Sequence, residues 1–336
     1  MDGNHLQSTI THQLSLIKNF IMKKALIVGC EGQDGTYLTR YLQKKRYHVI
    51  GIGEKRTYSG KGGQLKPVNI SKPGAVLGLL KQHKPDEIYY LAAYHHSSQD
   101  RKENDAVFFQ RSFDVHVYGL IHFLGGMRAH CSKARLFYAA SALIFGNPHS
   151  RVQNEKTPFA PVCIYGITKT AGLQTCRFYR REYGLYASAG ILYNHESPLR
   201  ADKFVSQKIV RTAVAIKRGG QKELVLGNLN AVIDWGFAGD YVEAMHRMLS
   251  LQSSDDFIIA SGKAHTVKEF VEGVFKRLKL DWTKYVREDA QVIQRKQKNH
   301  WQGDPSKIKR MTGWSPKADF SKLIAIMVDA ELKNNG

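Results

Sequence analysis

An α/β fold built on buried parallel strands is what the sequence predicts, and three features predict it. A short apolar run, Ala25-Leu26-Ile27-Val28, has the character of a strand covered on both faces, and it stops at a glycine. Gly29-x-x-Gly32-x-x-Gly35 follows at once. The spacing then turns helical, Tyr37-Leu38-x-x-Tyr41-Leu42 to about Arg46, and a second apolar strand, His48-Val49-Ile50-Gly51-Ile52, completes a β-α-β unit.

Each part of that unit has a physical reason. Glycines at this spacing let the backbone turn tightly off the strand, approach a pyrophosphate with no Cβ in the way, and start a helix packed close on the sheet. The helix N-terminus then offers free N–H groups and a positive dipole end to the phosphates. A glycine triplet alone is weak evidence. Following a strand and opening a helix inside a β-α-β unit, it predicts a bound dinucleotide.

Length and composition narrow the class. The chain has 336 residues, long for one compact domain and suited to a nucleotide-binding domain with a smaller lobe. No window approaches the ~18 consecutive apolar residues of a membrane helix, so no membrane partner is expected. Cys30, Cys131, Cys163 and Cys176 show neither paired zinc spacing nor a disulfide framework, and they fit a reduced cytoplasm. The formal charge of +21 would attract any polyanion at low salt. No nucleic-acid-binding motif localises that charge, so a basic surface is expected, with no specific nucleic-acid partner.

Residues 1–22 are polar, without the basic start and apolar core of a secretory signal, and read as a flexible leader before Met22-Lys23-Lys24. After the second strand comes Gly53-Glu54-Lys55-Arg56, where the adenosine ribose should lie. An acid here favours NAD and cations favour NADP. Lys55, Arg56 and the neighbouring Arg40 outnumber Glu54, so NADP is expected over NAD.

The next unit passes from Val68-Asn69-Ile70 through a helix, Lys72 to Lys84, to a strand ending in Leu91-Ala92-Ala93. Small residues suit a strand end that a cofactor passes. Ala92 and Ala93, with Leu91, Asn69 and Ile70, join Gly29, Gly32, Gln33, Asp34, Gly35 and Arg56 in the expected cofactor-binding set. His95 and His96 have no third ligand in view, and no metal is expected. A long helical stretch, about Asn104 to His130, leads to the strand Ala134 to Ala140, which ends in Ser141-Ala142-Leu143-Ile144-Phe145-Gly146.

Tyr165-Gly166-Ile167-Thr168-Lys169 then opens a helix, with phenol and ammonium four residues apart on one face. That pair has a specific use. A lysine beside a tyrosine lowers the phenol pKa, so that the phenolate can take a hydroxyl proton while hydride leaves the same carbon. Ser141, at the end of the neighbouring strand, can hold the substrate oxygen. Ser141, Tyr165 and Lys169 are the expected catalytic residues, the last two also touching cofactor.

Further blocks follow: Thr157-Pro158-Phe159, Asn194-His195-Glu196-Ser197-Pro198, Gly227-Asn228-Leu229, Asp234-Trp235-Gly236 and Gly303-Asp304-Pro305-Ser306-Lys307. With Gly32-Gln33-Asp34-Gly35-Thr36-Tyr37-Leu38 and Tyr165-x-x-x-Lys169, the chain from Lys23 onwards resembles the extended short-chain dehydrogenases/reductases, and more narrowly the GDP-mannose 4,6-dehydratase family. The resemblance implies a Rossmann-like doubly wound parallel sheet with a smaller C-terminal substrate-binding lobe. Residues 23–193 and about 237–262 would form the dinucleotide domain, and 194–236 with 263–336 the nucleotide-sugar lobe. By the same resemblance His195 and Arg200 touch the cofactor, while Asn194, Lys208 and Arg295 line a pocket for a nucleotide-diphosphate sugar. Relatives of this fold pair through the helix carrying Tyr and Lys, so a homodimer or homotetramer is implied.

Departures from the family pattern bear on the reaction. The dehydratases read Thr-Ser-Glu before an aliphatic residue, an aromatic residue and glycine; counted back from Gly146, this chain has Ser141, Ala142 and Leu143. The family's glutamate takes the C5 proton and helps expel the C6 hydroxyl, which leucine cannot do. Gln207 and Ile233 stand where the family has arginines, and Arg295-Lys296-Gln297-Lys298 where it has Arg-Pro-x-Glu, which puts guanosine in question.

Three readings follow. The first is an NADP-dependent oxidoreductase at C4 of a nucleotide-linked hexose, a 4-ketoreductase or epimerase of deoxysugar biosynthesis. The second is a 4,6-dehydratase in which Glu196, His95 or His96 replaces the glutamate. The third is a catalytically silent dinucleotide-binding sensor.

Overall fold

A computed structural model describes residues 22–60, 63–95, 104–289 and 300–334. Strand β1 (Lys24–Val28) is buried on both faces, which is why its sequence is a continuous apolar run and not an alternation. Leu26 and Val28 pack on one side of the sheet, Ala25 and Ile27 on the other. In parallel with β1 run β2 (His48–Ile52) on one edge and β5 (Glu87–Tyr90) on the other. Between β2 and β5 in the chain lies a hairpin, β3 (Thr57–Ser59) and β4 (Gly63–Leu65), which adds antiparallel strands beyond β2. The residues Val68-Asn69-Ile70 form no strand.

Beyond β5 the sheet continues in parallel with β6 (Arg135–Ser141), β8 (Tyr186–Leu192) and β12 (Asp256–Ile259). The eight-stranded order is β12-β8-β6-β5-β1-β2-β3-β4. Chain order therefore reverses between β1 and β5, and the carboxyl ends of these strands open on a crevice. Helices cover both faces. Pro73–His83, Gly119–His130 and Ile164–Tyr183 pack Val76, Leu80, Phe123, Leu124 and Leu173 on one; Gln33–Lys44 and Ala238–Met248 pack Leu38, Leu42, Tyr241 and Met245 on the other. The expected long helix from Asn104 is continuous but changes pitch. It is α-helical over Asp105–Phe113 and Gly119–His130, with a π turn at Asp114–Tyr118 between them.

A second layer sits at the carboxyl end of the sheet. There β11 (Val232–Phe237) pairs with β9 (Asn194–Glu196), β13 (Ala264–Thr266) and β15 (His300–Gly303), and β15 pairs in turn with β7 (Val152–Gln153). A short ribbon joins β10 (Leu224–Leu226) to β14 (Val286–Glu288). Helices Val205–Lys217, Val267–Arg277 and Phe320–Asn334 enclose a separate core containing Val210, Val214, Val271, Phe275, Ile324 and Met327. Each fully buried side chain of this kind stabilises by about 1.5–3 kcal/mol. Thr266 and Glu269 form a capping box that fixes where Val267–Arg277 begins.

Among the described residues no helix is long and apolar enough to cross a membrane, and no three His, Cys, Asp or Glu side chains group as metal ligands.

Candidate active site

The crevice holds a cavity of about 1590 Å³, walled by the ends of β1, β5, β6 and β8 below and by the second layer above. One wall is the turn after β1. Gly29 has φ +92°, a left-handed conformation suited to glycine, and a Cβ there would fall 2.8 Å from the Ala92 nitrogen. At Gly35 a Cβ would lie 2.3 Å from the Gly29 carbonyl oxygen. No side chain caps the helix Gln33–Lys44, and Gly32 to Gly35 line the cavity with its first turn. A pyrophosphate fits such a cradle, because backbone N–H groups are presented without side chains in front of them.

Ser141, Tyr165 and Lys169 line this cavity, together with Gln33, Asp34, Asn69, Ile70, Leu91, Ala92 and Ala93. Asn194, His195, Arg200 and Lys208 line it as well. Arg56 does not: its guanidinium lies 4.0 Å from Glu31 and 5.6 Å from the Tyr58 ring centroid. Arg295, Lys296, Lys298 and His96 lie outside the described residues. Gln207 is buried away from the wall, whereas Ile233 is part of it, so an apolar side chain stands where the family pattern has an arginine.

Tyr165 and Lys169 project from the first turns of Ile164–Tyr183. Lys169 is buried, and its Nζ donates to the Ala139 carbonyl at 2.7 Å while lying 5.6 Å from the Tyr165 ring centroid. Burial pushes the ammonium down from 10.5 to about 7, with Asp34 pulling the other way. Burial also pushes the Tyr165 phenol up, opposed by the Arg200 guanidinium. At the phenol, burial outweighs the neighbouring cation. Desolvation dominates both groups, and one of the three ammonium N–H groups is committed to a backbone carbonyl.

Ser141 caps the short 3₁₀ turn Ala142–Phe145, its Oγ accepting from the Leu143 N–H at 3.3 Å. Leu143 contributes an alkyl group to the wall. Its carbonyl approaches Gly166 so closely that a Cβ there would fall 2.6 Å away, which seats the turn against the helix carrying Tyr165.

Of the proposed substitutes for the glutamate, Glu196 is excluded by its bonds. It accepts from Ser206 Oγ at 2.6 Å, pairs with Arg200 at 3.1 Å, and does not line the cavity. His95 does line it. Its ring lies edge-on to Tyr165 at 4.9 Å between centroids and beside Phe204 at 5.3 Å.

Some structural partners had no sequence signal. His116, in the π turn, accepts from the Tyr94 N–H at 3.0 Å through Nε2, so its Nδ1 proton faces Thr168 Oγ1 at 2.8 Å. Burial keeps this ring well below its ordinary pKa, and it clips the loop bearing His95 to the helix bearing Tyr165. Gln33 donates to the His195 carbonyl at 3.0 Å and accepts from Ser197 Oγ at 2.7 Å. His195 Nδ1 donates to the Tyr193 carbonyl at 2.7 Å, and Nε2 meets Asp34 at 2.8 Å.

That last pair carries a pH dependence. Burial works against the His195 imidazolium, but the Asp34 carboxylate more than reverses this and holds it above its ordinary 6.5. Burial likewise works against the Asp34 carboxylate, and His195 outweighs it, holding Asp34 below its ordinary 3.8. The His195 contribution to stability is full below pH 6.5 and fades as pH rises through the raised value; that of Asp34 is full above pH 3.8 and fades as pH falls. Denaturant unfolding of His195→Asn should therefore show its largest loss at about pH 5, roughly 1.5–3 kcal/mol, shrinking by about pH 8.5.

Comparison with known proteins agrees with the motifs. The family model described as GDP-mannose 4,6 dehydratase matches residues 26–327. GDP-mannose 4,6 dehydratase 1 of Arabidopsis thaliana is 38% identical over 332 residues, covering 93% of this chain and 90% of its own. GDP-mannose 4,6 dehydratase of Drosophila melanogaster is 34% identical over 349 residues, covering 93% and 86%. Among solved structures, RMD from Pseudomonas aeruginosa complexed with NADPH superposes with a TM-score of 0.78 at 18% identity, covering 93% of this chain and all of that one. The dTDP-glucose 4,6-dehydratase of Bacillus anthracis in complex with NAD gives 0.77 at 19%, covering 93% and 97%, and at such identities the likeness is one of fold. With a family match across most of its length and relatives above one-third identity, the chain belongs to the GDP-mannose 4,6-dehydratase family.

Proposed function

We propose that this protein is a nicotinamide-dinucleotide-dependent oxidoreductase acting at C4 of a nucleotide-diphosphate hexose, in the sense of a 4-ketoreductase or epimerase. The observation that carries this reading is Leu143. It lines the same cavity as Ser141, Tyr165 and Lys169, so the hydride-transfer set is intact beside an alkyl group where a dehydratase of this family carries an acid.

A dinucleotide held at the glycine turn Gly29 to Gly35 would supply or accept the hydride at C4. In the reductive direction Tyr165 donates its phenolic proton to the C4 oxygen, and the Ser141 hydroxyl donates a second hydrogen bond to the same oxygen. Lys169, whose ammonium lies 5.6 Å from the Tyr165 ring centroid, would stabilise the phenolate left behind, which regains its proton from solvent before the next turnover. Lys208 and Arg200 give the cavity positive groups for a diphosphate. The free cysteines suit a reduced cytoplasm, and exposed Ile167, Phe178 and Tyr183 on the Tyr165 helix suit a homo-oligomer.

His95 supports a second reading, a 4,6-dehydratase in which its imidazole carries the C5 proton. One assay separates the two. Purified protein is offered GDP-mannose and a GDP-4-keto-6-deoxyhexose separately, each with NADH and NADPH, and the sugar products are weighed by mass spectrometry. Stoichiometric loss of reduced cofactor with the keto sugar supports the reductase. Loss of water from GDP-mannose without net cofactor oxidation supports the dehydratase, because its hydride returns internally.

A further inference from the structure

The adenosine end of the cavity is acidic. Glu31, inside the turn Gly29-x-x-Gly32, lines the wall together with Gly53 and Glu54. Its side chain lies over the end of β2, so close that a Cβ on Gly53 would fall 2.4 Å from Glu31 Cδ. Its Oε2 accepts from the Lys55 N–H at 3.2 Å, and its side chain is 25% exposed. Glu54, by contrast, is exposed.

The cations expected to hold a 2′-phosphate are not in the wall. Lys55 and Arg40 do not line the cavity, and Arg56 is 63% exposed, leaning on Tyr58 with Glu31 at its far reach of 4.0 Å. In the usual arrangement the ribose-binding acid follows the second strand. Here Gly53 stands directly after the strand with exposed Glu54 beyond it, and a less exposed carboxylate, Glu31, arrives from the glycine turn.

We propose that Glu31 makes this protein select NAD(H) over NADP(H), accepting a hydrogen bond from the adenosine ribose hydroxyls and repelling a 2′-phosphate. The inference rests on the dinucleotide reading of the cavity and reverses the preference expected from Lys55 and Arg56. A carboxylate facing a phosphate dianion is a like-charge contact, and such contacts weaken binding steeply in a partly desolvated site.

The test is direct binding of NADH and NADPH, read by nicotinamide fluorescence at low salt, with wild type, Glu31→Gln and Arg56→Ala. Wild type should bind NADH roughly tenfold or more tighter than NADPH. Glu31→Gln should bring the two Kd values together, and Arg56→Ala should leave the wild-type ratio unchanged. Equal or tighter NADPH binding by wild type overturns the proposal and leaves the dinucleotide reading standing. A wild-type ratio that persists in folded Glu31→Gln overturns it as well. If neither cofactor binds, the dinucleotide reading fails and the proposal fails with it.

Discussion

Replacing Tyr165 with phenylalanine is expected to lower kcat for hydride transfer at C4 by about 10²–10⁴-fold, the range a positioned proton donor supplies. The ring would keep its edge contacts with His95 and His116 at 4.9 and 5.1 Å, so the helix Ile164–Tyr183 has no reason to shift. Dinucleotide Kd should stay within a few-fold of wild type, because the glycine turn after β1 is untouched. Steady-state kinetics beside a binding titration separate the two quantities. A Tyr165→Phe protein with unchanged turnover would remove Tyr165 from the mechanism.

Leu143→Glu is expected to act in the opposite direction, raising loss of water from GDP-mannose by about 10²–10⁴-fold over wild type. The 3₁₀ turn Ala142–Phe145 is held at residue 143 itself, by Ser141 Oγ on the Leu143 N–H and by the close approach of the Leu143 carbonyl to Gly166. A longer side chain at position 143 therefore points where leucine already does, into the cavity. A glutamate there is partly buried, and desolvation raises its pKa towards that of a useful acid and base. The measurement is release of a 4-keto-6-deoxy product, followed by mass, with the proton at C5 exchanging in deuterated water. If wild type already dehydrates GDP-mannose and the variant adds nothing, His95 becomes the group to replace next.

The parts of this molecule that were legible in the sequence are those whose causes are local. A strand buried on both faces reads as an apolar run, and Ala25 to Val28 form β1 where that run stands. The glycine turn, the helix from Gln33 and the fourth-residue spacing of Tyr165 and Lys169 are likewise short-range, since helix geometry alone sets two such side chains on one face. Other features needed partners distant in the chain. His116 meets Thr168 and Tyr94, Gln33 meets Ser197, and His195 meets Asp34, each across a separation that no periodicity reports.

The cofactor end makes the contrast sharpest. By sequence, Lys55 and Arg56 beside Glu54 read as a cationic patch, because composition counts charges without directions. Folding turns Arg56 towards Tyr58, 4.0 Å from Glu31, and brings Glu31 and Glu54 to the wall while Lys55 and Arg56 stay off it. In the same way Lys169 reads as the cation that lowers a phenol, yet burial takes its pKa to about 7 and a backbone carbonyl takes its hydrogen bond. The amino-acid sequence by itself determined the strand-turn-helix order, the family and the residue types at the reacting end. The tertiary structure alone decided which charges face the cavity and how far each is desolvated, because both depend on what the rest of the chain packs against them.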